Sequence, residues 1–233
     1  MKKNNQINRA EMCAEFFGSM FLVMAAISPM ILFVSVLECP IGVAVIADAV
    51  AVAFVLCALI EIFGSTSGAH FNPIVTMIMT LEKKVSVTKA ALYVLVQIFG
   101  GLAGTALTHL MFFNEVSGIF TVSNSVRSDY IYLAEIIGSF ILVLAILMLV
   151  KNNSNKISII VGLLVGGQLL ATSSTMFANP QVTIARMFTD SAAGIRPIDG
   201  LVFIAMQIIG ALLAYAVYKF MFCKGDQDEK INN

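Results

Sequence analysis

Asn72-Pro73-Ile74-Val75-Thr76 and Asn179-Pro180-Gln181-Val182-Thr183 are two readings of one motif, and they decide the fold. Each follows a long apolar run and opens a short apolar segment, about 73–81 and about 180–188. Asparagine caps a helix, and a proline at the first helical position gives up no hydrogen bond. Nine residues at about 1.5 Å each reach roughly halfway across a hydrocarbon core of about 30 Å. Two half-helices meeting at the midplane would direct both positive N-termini and both asparagine side chains to one place. A single Asn-Pro marks a turn. A matched pair in corresponding halves of a membrane chain points to a permeation site.

The composition requires a polytopic helical membrane protein. Of 233 residues, 59% are hydrophobic and 12% charged, and the mean hydropathy is +0.92. Such a chain is not a soluble domain. It carries no basic stripe for nucleic acid, and its net charge is zero. Tryptophan is absent, so tyrosine and phenylalanine must supply the interfacial belt. Cys13, Cys39, Cys57 and Cys223 are too scattered for a metal or disulfide framework. Glu11 and Glu15 interrupt the first apolar run, which reads as an uncleaved span and not a signal peptide.

Working outward from the motifs, full spans are expected at about 11–34, 42–63, 88–112, 130–150, 157–176 and 198–222. Pro29 should kink the first, and Gly64-Ser65-Thr66-Ser67-Gly68 should end the second. Gly100 with Gly104, and Gly162 with Gly166, have the four-residue spacing of close helix contacts. Lysine and arginine crowd one set of loops: Lys83, Lys84, Lys89, Lys151, Lys156, Lys219 and both tails. The opposite set has only Arg127, Arg186 and Arg196, which puts both termini in the cytoplasm. The chain reads as one domain over 1–233, with repeats at about 11–112 and 130–222 and tails at 1–9 and 223–233. Ala14-Glu15-x-x-Gly18-Ser19 recurs as Ala134-Glu135-x-x-Gly138-Ser139, and Gln97-Ile98-x-Gly100 as Gln207-Ile208-x-Gly210. Three spans per half reverse the entry side, so the repeat is inverted.

These motifs, with Ser67-Gly68-Ala69-His70-Phe71-Asn72-Pro73, resemble the aquaporin and aquaglyceroporin (major intrinsic protein) family over about residues 11–222. The resemblance implies an all-α membrane protein: a right-handed bundle of six transmembrane helices plus two re-entrant half-helices. It also implies a pore in each subunit and a homotetramer in the lipid bilayer. Two features depart from the family pattern. The third motif residue, normally alanine, is Ile74 in one copy and Gln181 in the other. Val182 stands where the family usually places its filter arginine, as in a bacterial branch associated with metalloid-type neutral solutes. Arg186 lies one turn further along the same face. By the family pattern the filter candidates are Val52, Gln168, Met176 and Val182, and His70 falls on the inner vestibule wall.

Asn72 and Asn179 can each donate an amide N–H to a passing oxygen, replacing lost water contacts; the plainer role is helix capping. Glu15 and Glu135 are costly in apolar spans and need donors. Their symmetric placement favours holding the loops before the half-helices over relaying protons. Asp48 is a candidate for the outer mouth and Glu61 sits opposite the inner loop; neither has a counterpart in the other half. His109 reads as structural, and no histidine spacing suits a metal. Thr172-Ser173-Ser174-Thr175 lacks a base at workable spacing, so it reads as non-helical funnel backbone and not as a catalytic cluster. No cofactor is expected. The leading function is a passive channel for small neutral solutes: glycerol-sized molecules or uncharged metalloid hydroxides such as arsenite, with water. A water-selective channel is the alternative within the fold. An ion- or proton-coupled transporter and an intramembrane protease are the alternatives outside it. A bacterial or archaeal plasma membrane is the expected location.

Overall fold

Apolar spans broken by Asn-Pro give two sets of four helices. The structure, a computed structural model, describes residues 8–127 and 129–222. The first set is α1 (Arg9–Ile31), α2 (Ile41–Ser67), α3 (Pro73–Leu81) and α4 (Val87–Met111). The second is α5 (Ile131–Lys151), α6 (Ile157–Ala171), α7 (Pro180–Arg186) and α8 (Pro197–Phe222). Most of the two expected tails lies outside the described residues, as does Cys223.

Local chemistry sets the boundaries. Asn8 and Ser86 cap α1 and α4 through their side-chain oxygens. Past Pro29, which has no N–H for the ladder, α1 passes into a turn of π-helix at Leu32–Val36. Three expected boundaries move. The second span does not stop at Gly64; α2 runs to Ser67 and ends on Gly68, whose φ of 88° only glycine adopts freely. The fifth span ends at Ala171, not 176, which makes α6 a 15-residue helix followed by a turn and non-helical chain. The second half-helix stops at Arg186 and is seven residues long.

Among the described residues, five helices are long and apolar enough to cross a membrane, and α6 is a shorter apolar one. Large side chains such as Phe54, Phe99, Leu163 and Phe220 face outward and exposed, as lipid demands. Helix α1 packs on α4 and α2, α5 on α8, and α2 on α6 across the two halves. The glycine pairs make these approaches possible. A Cβ on Gly100 or Gly104 would lie 2.3 or 2.4 Å from the carbonyl oxygens of Phe16 and Met20 on α1. Gly162 and Gly166 face Ala53 and Ala49 of α2 in the same way. Glu11 pairs with Lys89 at 2.6 Å, tying α1 to α4, and Glu82 pairs with Lys219, tying α3 to α8.

Gly100→Ala should therefore destabilise the bundle by about 1–3 kcal/mol through overpacking against fixed backbone. Gly42→Ala, where a Cβ meets nothing within 4 Å, should have little effect. Thermal unfolding in detergent compares the two.

Candidate functional site

The segments before α3 and α7 are non-helical and lie deep in the bundle, so their backbone must be hydrogen-bonded within the protein. Glu15, fully buried, does this for the first. Its Oε1 accepts from the Ser67 hydroxyl at 2.6 Å and the His70 N–H at 2.9 Å. Its Oε2 accepts from the Phe71 N–H and the Gln97 amide, both at 2.8 Å. Glu135 does the same for the second, accepting from the N–H groups of Phe177 and Ala178 and from Gln207 at 2.9, 2.8 and 2.7 Å. Gln97 and Gln207 also donate to Thr76 and Thr183 on the half-helices.

Both segments hold residues in the left-handed region: Ala69 and Phe71 in one, Thr175, Met176 and Ala178 in the other, with φ between 32° and 55°. Such residues cost about 1–3 kcal/mol each. The two half-helix starts are then cross-linked. Asn72 Nδ2 donates to the Ala178 carbonyl at 2.9 Å, and Asn179 Nδ2 donates to the Phe71 carbonyl at 2.8 Å. Each asparagine Oδ1 caps its own helix through the N–H two residues on. An amide nitrogen carries two hydrogens. One is committed to the opposite half, and the other is available to a molecule in the cavity that both asparagines line.

That cavity, about 150 Å³, is bounded by aliphatic rows four residues apart. Val52, Leu56 and Ile60 come from α2, Leu142, Ile146 and Val150 from α5, and Val161, Val165 and Leu169 from α6. Val52, Met176, Val182, His70 and Arg186 all line it. Gln168 does not; it is half-buried, and its neighbour Leu169 faces the cavity instead. The chain leaves the helix at Ala171, so α6 meets the cavity one residue out of the expected register.

Other side chains fall into supporting places. His70 bonds Thr76 at 3.0 Å and meets Tyr93 edge-on. His109 links the Ile119 carbonyl at 2.6 Å to the Thr189 hydroxyl at 2.8 Å, joining the loop after α4 to the chain after α7. Glu61 accepts from Ser158 at 2.8 Å. Ser174 accepts from its local backbone at Met176, in line with a structural role for that polar run. Phe177 and Arg127 also belong to this region, although in the sequence Phe177 carries no signal and Arg127 counts only toward the charge asymmetry of the loops. Arg127 crosses from the loop before α5 to the carbonyls of Gly194 and Ser174, at 3.0 and 3.1 Å. Its guanidinium lies 5.0 Å from the centre of the Phe177 ring. A lone arginine in a polar loop carries no signal for this.

Residues 2–178 match the family described as Major intrinsic protein. The chain belongs to that family. The matched region ends one residue before Asn179, where the second motif departs from the usual pattern. Over 209 residues the chain is 35% identical to the aquaglyceroporin AqpS of Rhizobium meliloti, covering 89% of this chain and 88% of that one. It is 25% identical over 218 residues to mouse aquaporin-4, covering 90% of this chain and 66% of that one. The X-ray structure of the aquaglyceroporin from Plasmodium falciparum superposes with a TM-score of 0.72 over 92% of this chain and 96% of that one, at 18% identity. The fold is therefore shared, and the protein is an integral membrane protein.

Asn72→Asp should abolish neutral-solute flux. It replaces the donor to Ala178 with an acceptor and adds a charge in a site where burial costs several kcal/mol. Flux measured on folded protein in liposomes checks this; normal conduction would remove Asn72 from the permeation path.

Proposed function

We propose that the chain is a passive channel for small uncharged solutes, glycerol-sized molecules or neutral metalloid hydroxides such as arsenite, and that it also passes water. The observation that carries this reading is the cavity itself. It has aliphatic walls, two inward amide donors at Asn72 and Asn179, and the short apolar side chains of Val52 and Val182 where the resemblance expects a bulkier aromatic and an arginine. A wall without a donor at 182 leaves more room and holds solutes less tightly. The convergence of two helix N-termini on the asparagine pair disfavours cations, including hydronium. The name of the Rhizobium relative, an aquaglyceroporin, agrees with a solute wider than water.

Coupled transport has less support. Glu15 and Glu135 are consumed in holding backbone and Glu61 is bonded to Ser158, so none of these three is a free relay carboxylate; Asp48 is a single buried carboxylate with no matching partner in the other half. The charge asymmetry of the loops favours cytoplasmic termini, and a bacterial relative favours a bacterial plasma membrane. A homotetramer, each subunit with its own pore, completes the reading by family likeness.

Stopped-flow swelling of proteoliposomes with water, glycerol, urea and arsenite tests the function. Passive flux of a solute larger than water is expected; accumulation against a gradient would overturn it. Val182→Arg should lower the glycerol-to-water and arsenite-to-water permeability ratios while largely keeping water flux. Arginine brings five N–H donors and a fixed charge into the aperture. An unchanged ratio would mean that position 182 does not set the cut-off.

A further inference from the structure

At the end of the bundle where α1 begins and α8 ends, the aliphatic rows of the cavity finish in Ile60 on α2, Val150 on α5 and Ile157 on α6. The short turn at 152–156 joins α5 to α6 and brings Val150 and Ile157 to one level. A hydrogen bond between the next residues along brings Ile60 there too: the Ser158 hydroxyl donates to Glu61 Oε2 at 2.8 Å. This edge of the passage is therefore apolar on three sides. An apolar wall offers a hydroxylated solute no hydrogen-bond partner, so passage there depends on cross-section.

The Glu61–Ser158 bond is the last rung of a seam between α2 and α6. The two helices run antiparallel, with Gly166 against Ala49 and Ala53, and Gly162 against Ala53 and Cys57. A Cβ on either glycine would lie 2.7 Å from an atom of Ala53, so these rungs are held by close backbone contact. Four residues further along each helix stand Glu61 and Ser158. A glutamate and a serine cannot repeat the glycine contact, and a hydrogen bond takes its place. Lys156, which opens α6, makes no side-chain capping bond, so the first turn of α6 is not fixed by a cap of its own. Glu61 anchors it from the neighbouring helix. Its carboxylate stands at the positive end of α6, where a negative charge is favoured.

We propose that Glu61 and Ser158 are positioning residues for this aperture: their bond fixes the separation of Ile60 and Ile157, and with it the largest neutral solute that the channel passes. This rests on the passive-channel reading and adds a second size-determining level, two turns of α2 away from Val52. With the bond broken, the first turn of α6 is released and the aperture loses its fixed width.

The test is stopped-flow permeability to water, glycerol and the larger polyol erythritol in proteoliposomes. It compares wild type with Ser158→Ala, Glu61→Ala, their double variant and Glu61→Gln. Losing a hydrogen bond of ordinary net strength shifts the balance between held and released aperture by about fivefold. Each alanine variant should raise the erythritol-to-glycerol ratio by about that factor. The double variant should rise no further than the higher single one, because both substitutions break one bond. Glu61→Gln keeps an oxygen that accepts from Ser158 and should keep the wild-type ratio. General loosening of the bundle would instead lower all fluxes together and leave the ratio in place. Unchanged ratios in the alanine variants, increases that multiply in the double variant, or a glutamine variant that behaves as alanine overturn the pair. Wild-type protein that passes no glycerol overturns the channel reading itself. Wild-type protein that passes glycerol, with alanine variants of the same ratio, overturns only the pair.

Discussion

Non-helical backbone at membrane depth is tolerated only if every N–H and C=O finds a partner inside the protein. Two carboxylates meet that demand, and the architecture depends on them. Glu15 and Glu135 each take two consecutive N–H groups of a connecting segment. With those groups held, two residues of the first segment and three of the second can be kept in left-handed backbone. That geometry in turn leaves the Phe71 and Ala178 carbonyls to accept from the opposite asparagine. Removing either carboxylate would leave buried N–H groups unpaired at about 1–3 kcal/mol each and release the strain they restrain. The glutamines that donate to the same carboxylates, Gln97 and Gln207, also grip the half-helices through Thr76 and Thr183. One charge in each half thus sets the loop, the half-helix and the long helix behind it.

The asparagine exchange joins the halves across a short path. Each half supplies a donor to the other and an acceptor for it. Around that junction the walls are aliphatic rows spaced four apart on α2, α5 and α6. Polar groups reach the cavity only at a few levels. A permeant there has few partners and must pass from one to the next, the condition under which placement of single donors governs selectivity.

Much of this was legible because inverted repeats write each requirement twice. Asn-Pro, the intramembrane glutamates and the Gln-x-x-Gly pairs each appear at matched positions, and each matched pair has matched contacts. Features present in one half only were harder to read. Gln168 looked like a lining residue, but α6 ends at Ala171 and Leu169 takes that place. Gly64 has the look of a breaker, yet α2 continues three residues past it to Ser67, whose hydroxyl donates to Glu15 and whose carbonyl accepts from Tyr93; the weak propensity of one glycine does not outweigh these anchors. Arg127 and Phe177 combine only through long-range folding of the loop before α5, which no local pattern encodes.

The altered motif residues are resolved by packing, not by the passage. Ile74 and Gln181 stand where the family pattern expects alanine, yet neither lines the cavity. Ile74 is buried in a cluster with Ala211 and Ala214 of α8. Gln181 is buried beside Gly101 of α4, where a Cβ would lie 2.2 Å from its Oε1. Its Nε2 adds a 3.3 Å bond to the Phe71 carbonyl, which already accepts from Asn179. The larger residue at 181 is thus matched by a glycine on the helix behind it, and the larger one at 74 packs into a cluster that includes two alanines of α8. Position 182 has no such backing. Its side chain faces the cavity, so exchanging arginine for valine there changes the passage itself. Substitutions at the second and third residues of the same half-helix therefore act on different things: the first on the fit of α7 against α4, the second on what a solute meets.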